Sequence, residues 1–110
     1  MVQRLPIPAK QSGPGSGVNG GEFLMLALAT CYCNDLYREA AGLGIVLESV
    51  DVEAAADFPG IGLAATAITY RAKVTSPAPA AVIADLLRRT DTVAEVHNTI
   101  RSGAPVQLID

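Results

Sequence analysis

Hydrophobic residues are concentrated in one long run, residues 23–33, which is apolar throughout except for a single threonine. Asn19 is the standard helix-capping residue just before this run, and Gly42 and Gly44 supply a stop signal after it. We therefore predict a helix over about residues 21–41. Because its first half is apolar on all sides, the pattern predicts that this half is buried on every side.

Alternating apolar and polar residues after this helix predict two β-strands. The first covers about residues 45–57, where Val50 and Val52 alternate with polar neighbours, and the second covers about residues 62–75. A turn sequence at residues 57–60 lies between them. The two strands are predicted to pair as an antiparallel hairpin with one face open to water.

The last third of the chain is predicted to contain a second helix, a shorter helical segment and a final strand. The prolines within residues 76–79 suit a helix start, and Arg88 and Arg89 suit its C-terminal end. The short helical segment spans residues 92–98, and residues 105–109 have the pattern of a strand. The second helix has an apolar stripe, formed by Val82, Ile83, Leu86 and Leu87.

These elements predict an α+β fold in which a buried central helix packs against an antiparallel sheet. The chain is expected to form one domain over residues 1–110, with residues 1–20 as a loop rich in glycine and proline. Half of the residues are hydrophobic, but only 5% are aromatic and many are alanine, which buries little area. Because such a core is modest, we predict that a homodimer interface supplements it.

Charge and hydropathy exclude several classes of partner and compartment. The net charge is −3 without a basic stripe, so neither nucleic acid nor an anionic membrane is expected to bind. The longest apolar run is far shorter than the ~20 residues that cross a bilayer. The N-terminus lacks the pattern of a signal peptide, and we expect a cytoplasmic protein. Two cysteines and one histidine are too few for a metal site, and no cofactor is expected.

Cys31 and Cys33 are the residues best suited to redox chemistry. A reactive cysteine needs a stabilised thiolate. Asp35, one turn after Cys31, opposes that state, whereas Arg38, two turns after it, favours it. The local pattern by itself favours a Cys31 that is inert and packs as a small hydrophobe. Side chains two residues apart on a helix diverge, so no disulfide between the two cysteines is expected, and packing explains Cys33.

Two further polar residues stand out. Glu22 lies in the first turn of the predicted helix, where a carboxylate complements the helix dipole. It precedes Cys31 by nine residues and is half a turn out of phase with it. His97 begins the sequence His-Asn-Thr, which is typical of a turn before the last strand.

Three motifs occur in a characteristic order, at residues 20–31, 44–50 and 96–100, the last of which reads Val-His-Asn-Thr-Ile. Together they resemble the osmotically inducible protein C and organic hydroperoxide resistance (OsmC/Ohr) family. The likeness extends from about residue 18 to the end of the chain. The resemblance implies an intertwined homodimer in which the central helices pack between two sheets.

The resemblance also implies a chemistry. Peroxidase members of the family use one cysteine on the central helix to attack a hydroperoxide, and a second cysteine to resolve the sulfenic acid as a disulfide. Cys31 matches the first cysteine, whereas Ala94 stands at the position of the second. The family's helper glutamate falls nearest Glu22, although Gly21 is the aligned residue. Of the N-terminal strands, which supply an arginine in those members, little more than Arg4 remains.

Two alternative functions are therefore expected. The first is thiol-dependent reduction of an organic hydroperoxide through Cys31, with an external thiol as reductant because a resolving cysteine is absent. The second is a non-catalytic dimer that binds a small apolar molecule in its interface pocket or serves only as a structural module. The candidate site residues are Cys31 and Glu22 for catalysis, and Cys33, Arg38 and His97 for binding.

Overall fold

The computed structural model describes residues 1–110, which form three helices and one two-stranded antiparallel sheet. Helix α1 contacts each of the other four elements and is the centre of an α+β fold. None of the three helices combines the length and apolar character that a membrane crossing requires. The elements in chain order are α1 (Gly20–Gly42), β1 (Ser49–Asp57), β2 (Thr66–Thr75), α2 (Ala80–Val93) and α3 (Glu95–Arg101).

Asn19 and Gly44 fix the two ends of α1, which confirms the predicted helix. The Asn19 side-chain oxygen accepts hydrogen bonds from the backbone N–H of Gly21, at 2.8 Å, and of Glu22, at 3.2 Å. Beyond the other end, Gly44 has a φ of +69° and donates its N–H to the Ala41 carbonyl. A residue with a side chain would be strained in this left-handed conformation, so glycine is the residue that ends the helix here.

Strands β1 and β2 form the predicted antiparallel hairpin. Val50 lies opposite Val74 and Val52 opposite Ala72, and these half-buried residues alternate with exposed polar ones. Each strand begins later than predicted, because the residues before β1 lead out of the α1 cap and residues 58–65 form the hairpin loop. The hairpin covers one side of α1 with its apolar face.

Helices α2 and α3 correct two details of the prediction. Helix α2 continues to Val93, so Arg88 and Arg89 lie before its last turn rather than at its end. Arg89 instead pairs with Glu39 of α1, with Nε and Oε1 3.4 Å apart. His97 belongs to α3 and not to a turn, because the chain resumes a helix directly after a single extended residue.

The predicted last strand at residues 105–109 is wrong for this chain. These residues have no regular secondary structure, and Val106 and Leu108 are fully exposed. A strand needs a neighbour that pairs with its backbone N–H and C=O groups. The only sheet has the order β1-β2, and residues 105–109 do not join it.

The core is formed mainly by one face of α1. Leu28, Tyr32, Leu36 and Ala40 are buried at intervals of four residues, which is the spacing of one helical stripe. Leu86 of α2 packs against this stripe.

Within the single chain the first half of α1 is buried on one side only, and burial of the opposite side stays a prediction that depends on a partner subunit. Phe23 is 43% exposed and Leu26 is 58% exposed. The reason is that the hairpin and the two shorter helices cover only one side of α1 within a single chain. Apolar composition alone does not distinguish a side covered by the same chain from one that this chain leaves open.

Candidate functional site

Cys31 lies near the middle of α1, half-buried against the core. Its Sγ donates a hydrogen bond to Oδ2 of Asp35, one turn further along the helix, at 3.6 Å. Asp35 is only 2% exposed. The pair is a consequence of the spacing i, i+4, which places both side chains on the same helical face.

The second carboxylate oxygen of Asp35 is held by two neighbours on α1. Arg38 places Nη1 3.0 Å from Oδ1, and Asn34 donates its side-chain N–H to the same oxygen at 3.2 Å. Arg38 is about half exposed, so it links the buried carboxylate to the surface. Arg38 therefore acts on Cys31 through Asp35 rather than by direct contact.

The start of α3 faces the sulfur from the other side. Burial raises the pKa of the Cys31 thiol above its ordinary value, and the negative charge of Asp35 adds to the rise. The nearby backbone N–H groups of Val96 and Glu95 oppose the rise in pKa, because they favour a negative charge on the sulfur. The net effect is a raised pKa, so at neutral pH Cys31 is a thiol that donates a hydrogen bond to Asp35.

Ala94 is fully buried and forms the N-terminal cap of α3, immediately before these two amides. It is therefore adjacent to the two residues whose amides lower the pKa of the Cys31 thiol. An alanine methyl cannot form a disulfide, so this position holds no resolving thiol.

His97 lies behind the thiol site in a cluster of three aromatic rings. Its ring centroid is 4.4 Å from that of Tyr70 and 5.8 Å from that of Tyr32. The residue is 3% exposed, and neither Nδ1 nor Nε2 has a hydrogen-bond partner. Burial lowers the pKa of His97, and the positive charge of Arg101 lowers it further. His97 is therefore a neutral, packed ring at neutral pH.

A polar network that no sequence pattern indicated borders this cluster. The Tyr70 hydroxyl donates to Asp91, and Arg101 Nη2 lies 2.6 Å from the same carboxylate. The hydrogen bond from Tyr70, with the nearby guanidinium, holds the pKa of Asp91 below its ordinary value. Burial raises the pKa of Tyr32 to about 12 and also raises that of Tyr70. The members lie on three different elements, and no spacing along the chain relates them.

Glu22 and Cys33 do not join the Cys31 site in this structure. Glu22 is in the first turn of α1, about 13 Å from Cys31 along the helix axis. Cys33 is half-buried and borders a shallow surface groove between α1 and β1 with Tyr37 and Val50. Both cysteines are free in this structure, and that they do not bridge each other on oxidation stays a prediction.

The fold and this thiol site define a small α+β protein with one candidate redox cysteine on its central helix. The family model described as OsmC-like protein matches residues 13–109, nearly the whole chain. The chain therefore belongs to the OsmC-like protein family, as the sequence motifs predicted. No curated protein matches it significantly. Membership in this family suggests a redox or peroxidase-related function.

Proposed function

We propose that this protein reduces organic hydroperoxides with Cys31 as the nucleophile and an external thiol as the reductant. The observation that carries the proposal is the placement of the Cys31 sulfur. It lies between the Asp35 carboxylate, which accepts a hydrogen bond from the thiol, and the first two amides of α3, which favour a negative charge on the sulfur. Cys33 has no such surroundings.

The reaction has two stages. In the first, the sulfur attacks the distal peroxide oxygen, the O–O bond breaks, and the thiol and hydroperoxide become a sulfenic acid and an alcohol. In the second, an external thiol displaces water from the sulfenic acid and forms a mixed disulfide. A second external thiol then releases the Cys31 thiol and leaves as the oxidised disulfide. External reduction is required because Ala94 holds no thiol and the Cys33 side chain diverges from that of Cys31 on the helix.

We also propose that the active form is a homodimer. Large apolar side chains on one side of α1 remain exposed in the single chain, among them Phe23 and Leu26, and exposed apolar patches mark interaction surfaces. Within one chain Glu22 is too far along α1 to touch Cys31. A role for Glu22 in catalysis would therefore require that a second subunit bring it to the thiol.

Binding of a small apolar molecule without turnover is the second candidate function. The raised pKa of the Cys31 thiol favours it, because a peroxidatic cysteine is ordinarily activated by a lowered pKa. The absence of a thiol at Ala94 also favours binding without turnover.

Steady-state hydroperoxide consumption separates the two candidates. With cumene hydroperoxide and excess dithiothreitol, the wild-type protein and Cys33→Ser are expected to turn over, while Cys31→Ser does not exceed the rate of dithiothreitol alone. Equal rates for wild type and Cys31→Ser would leave the binding function as the better account. Cys33→Ser is the matched control because it removes a thiol from the same helix.

A further inference from the structure

We propose that Asp35 is a catalytic residue, which accepts the thiol proton of Cys31 and delivers it to the departing alkoxide of the hydroperoxide. The inference rests on the proposed function and deepens it. It assigns the proton transfer that the first stage of the reaction needs.

The geometry singles out Asp35 for this role. Its Oδ2 is the side-chain acceptor of the Cys31 thiol, at 3.6 Å, and its Oδ1 is engaged by Arg38 and Asn34. One oxygen is thus anchored and the other is directed at the reacting atom. Asp35 is 2% exposed, so its carboxylate is shielded from bulk water.

The chemistry requires such a residue in this site. An alkoxide is a strongly basic leaving group, so its departure is assisted by a general acid. As the S–O bond forms and the O–O bond breaks, two electrons move from sulfur to the leaving oxygen. The proton passes from the Cys31 sulfur to Asp35 Oδ2 and on to the alkoxide, which leaves as an alcohol. The hydroxyl of the distal oxygen stays on the sulfur as the sulfenic acid, so atoms and charges balance.

Asp35 and the first two amides of α3 act on the sulfur one after the other in this reaction. In the resting protein Asp35 keeps the proton close to the sulfur and works against a free thiolate. When the proton has moved, the backbone N–H groups of Val96 and Glu95 stabilise the negative charge on the sulfur during attack. The raised resting pKa of Cys31 is thus compatible with peroxide chemistry, because the proton that it retains is the one that the alkoxide needs.

Two reactions of the same thiol test the role of Asp35. In the Cys33→Ser background, the rate of alkylation by iodoacetamide and the rate of oxidation by cumene hydroperoxide are measured at neutral pH by intact mass. Iodide leaves without a proton, whereas the alkoxide does not. For Asp35→Asn we expect alkylation to be unchanged or up to about tenfold faster, because a charge that opposes the thiolate is removed. We expect oxidation to be at least about a hundredfold slower, because proton transfer is lost.

The controls separate this inference from the proposed function and from misfolding. Asp85→Asn removes an exposed carboxylate of α2 and should change neither rate. Asp35→Glu keeps a carboxylate and should recover a large part of the oxidation rate. If both rates in Asp35→Asn rise or fall by the same factor, or if Asp35→Glu oxidises no faster than Asp35→Asn, the inference is overturned. If the parent protein is alkylated but never oxidised by the hydroperoxide, the proposed function itself fails.

Discussion

The Tyr70 hydroxyl donates a hydrogen bond to the Asp91 carboxylate and thereby joins strand β2 to the last turn of α2. Arg101 of α3 approaches the same carboxylate oxygen to 2.6 Å. One side chain thus connects three elements beside the aromatic cluster of Tyr32, Tyr70 and His97. Asp91 is therefore expected to contribute more to stability than the surface carboxylates do.

Asp91→Ala should lower the free energy of unfolding by about 2 kcal/mol, because it leaves the Tyr70 hydroxyl and the Arg101 guanidinium without their partner. Urea unfolding at fixed protein concentration measures the change. Asp85→Ala is the control, since Asp85 pairs with Arg88 at an exposed site and should cost less than about 0.5 kcal/mol. Equal losses for the two variants would contradict the account of the network.

His97→Phe should stabilise the protein at neutral pH by about 1 kcal/mol, because both ring nitrogens of His97 are buried without a partner and a phenyl ring has none to satisfy. The substitution keeps an aromatic ring beside Tyr70. Thermal or urea unfolding of the two proteins checks the prediction, and a loss of more than about 1 kcal/mol would show that the histidine nitrogens are satisfied in solution.

The same residue predicts the pH dependence of stability. The pKa of His97 is 6.5 in the unfolded chain and is lower in the folded chain. At a pH between the unfolded and the folded pKa, the unfolded chain therefore binds a proton that the folded chain does not. Stability is therefore complete above about pH 6.5 and is lost as the pH falls through this window towards the folded pKa. The lowered pKa of Asp91 acts only at more acidic pH, below its ordinary 3.8. As the pH falls from about 7 to 5, the free energy of unfolding should decrease for the wild type and stay constant for His97→Phe. Parallel pH profiles for the two proteins would refute the assignment to His97.

Ala94→Cys should supply the missing resolving thiol. Position 94 directly precedes α3, which packs against α1, so a cysteine there is expected to reach the Cys31 sulfur if the two Cα atoms lie within about 7 Å. In a Cys33→Ser background, hydroperoxide treatment should give an intact mass lower by two hydrogens and a peptide that links positions 31 and 94. Persistence of the sulfenic acid in this variant would mean that α3 does not lie against Cys31 as described.

Leu26→Glu should convert the proposed dimer into a monomer at micromolar concentration, because Leu26 is exposed on the open side of α1 and a charge there opposes burial. Sedimentation velocity measures the change. Val46→Glu is the control, since Val46 is an exposed apolar residue outside the helices. A wild-type protein that sediments as a folded monomer would remove the dimer from the proposal.

Local signals made much of the fold predictable. Asn19 and Gly44 allowed both ends of α1 to be predicted, because capping side chains and left-handed glycines act within a few residues of the helix end. The alternation in β1 and β2 has the same local character, since it follows from the period of the strand. For residues 105–109 a similar pattern failed, because a strand also needs a neighbour and no local signal supplies one.

The candidate site was predictable only in part. The spacing of Cys31 and Asp35 on a helix showed that they meet, and that Asp35 opposes the thiolate. The burial of Asp35 and the approach of Val96 depend on how α3 docks against α1, which no local pattern specifies. The clustering of His97 with Tyr32 and Tyr70 has the same origin, so packing, and not the His-Asn-Thr motif, decides its surroundings.

Trapping of a sulfenic acid on Cys31 distinguishes a peroxidatic cysteine from an inert one. The Cys33→Ser and Cys31→Ser proteins are treated with a small excess of cumene hydroperoxide in the presence of dimedone, and adducts are located by peptide mass spectrometry. The account predicts that Cys33→Ser gains the adduct at Cys31, that Cys31→Ser gains none, and that an added thiol prevents overoxidation of Cys31. Labelling of Cys33 alone, or of neither cysteine under conditions that oxidise a free thiol, would contradict it.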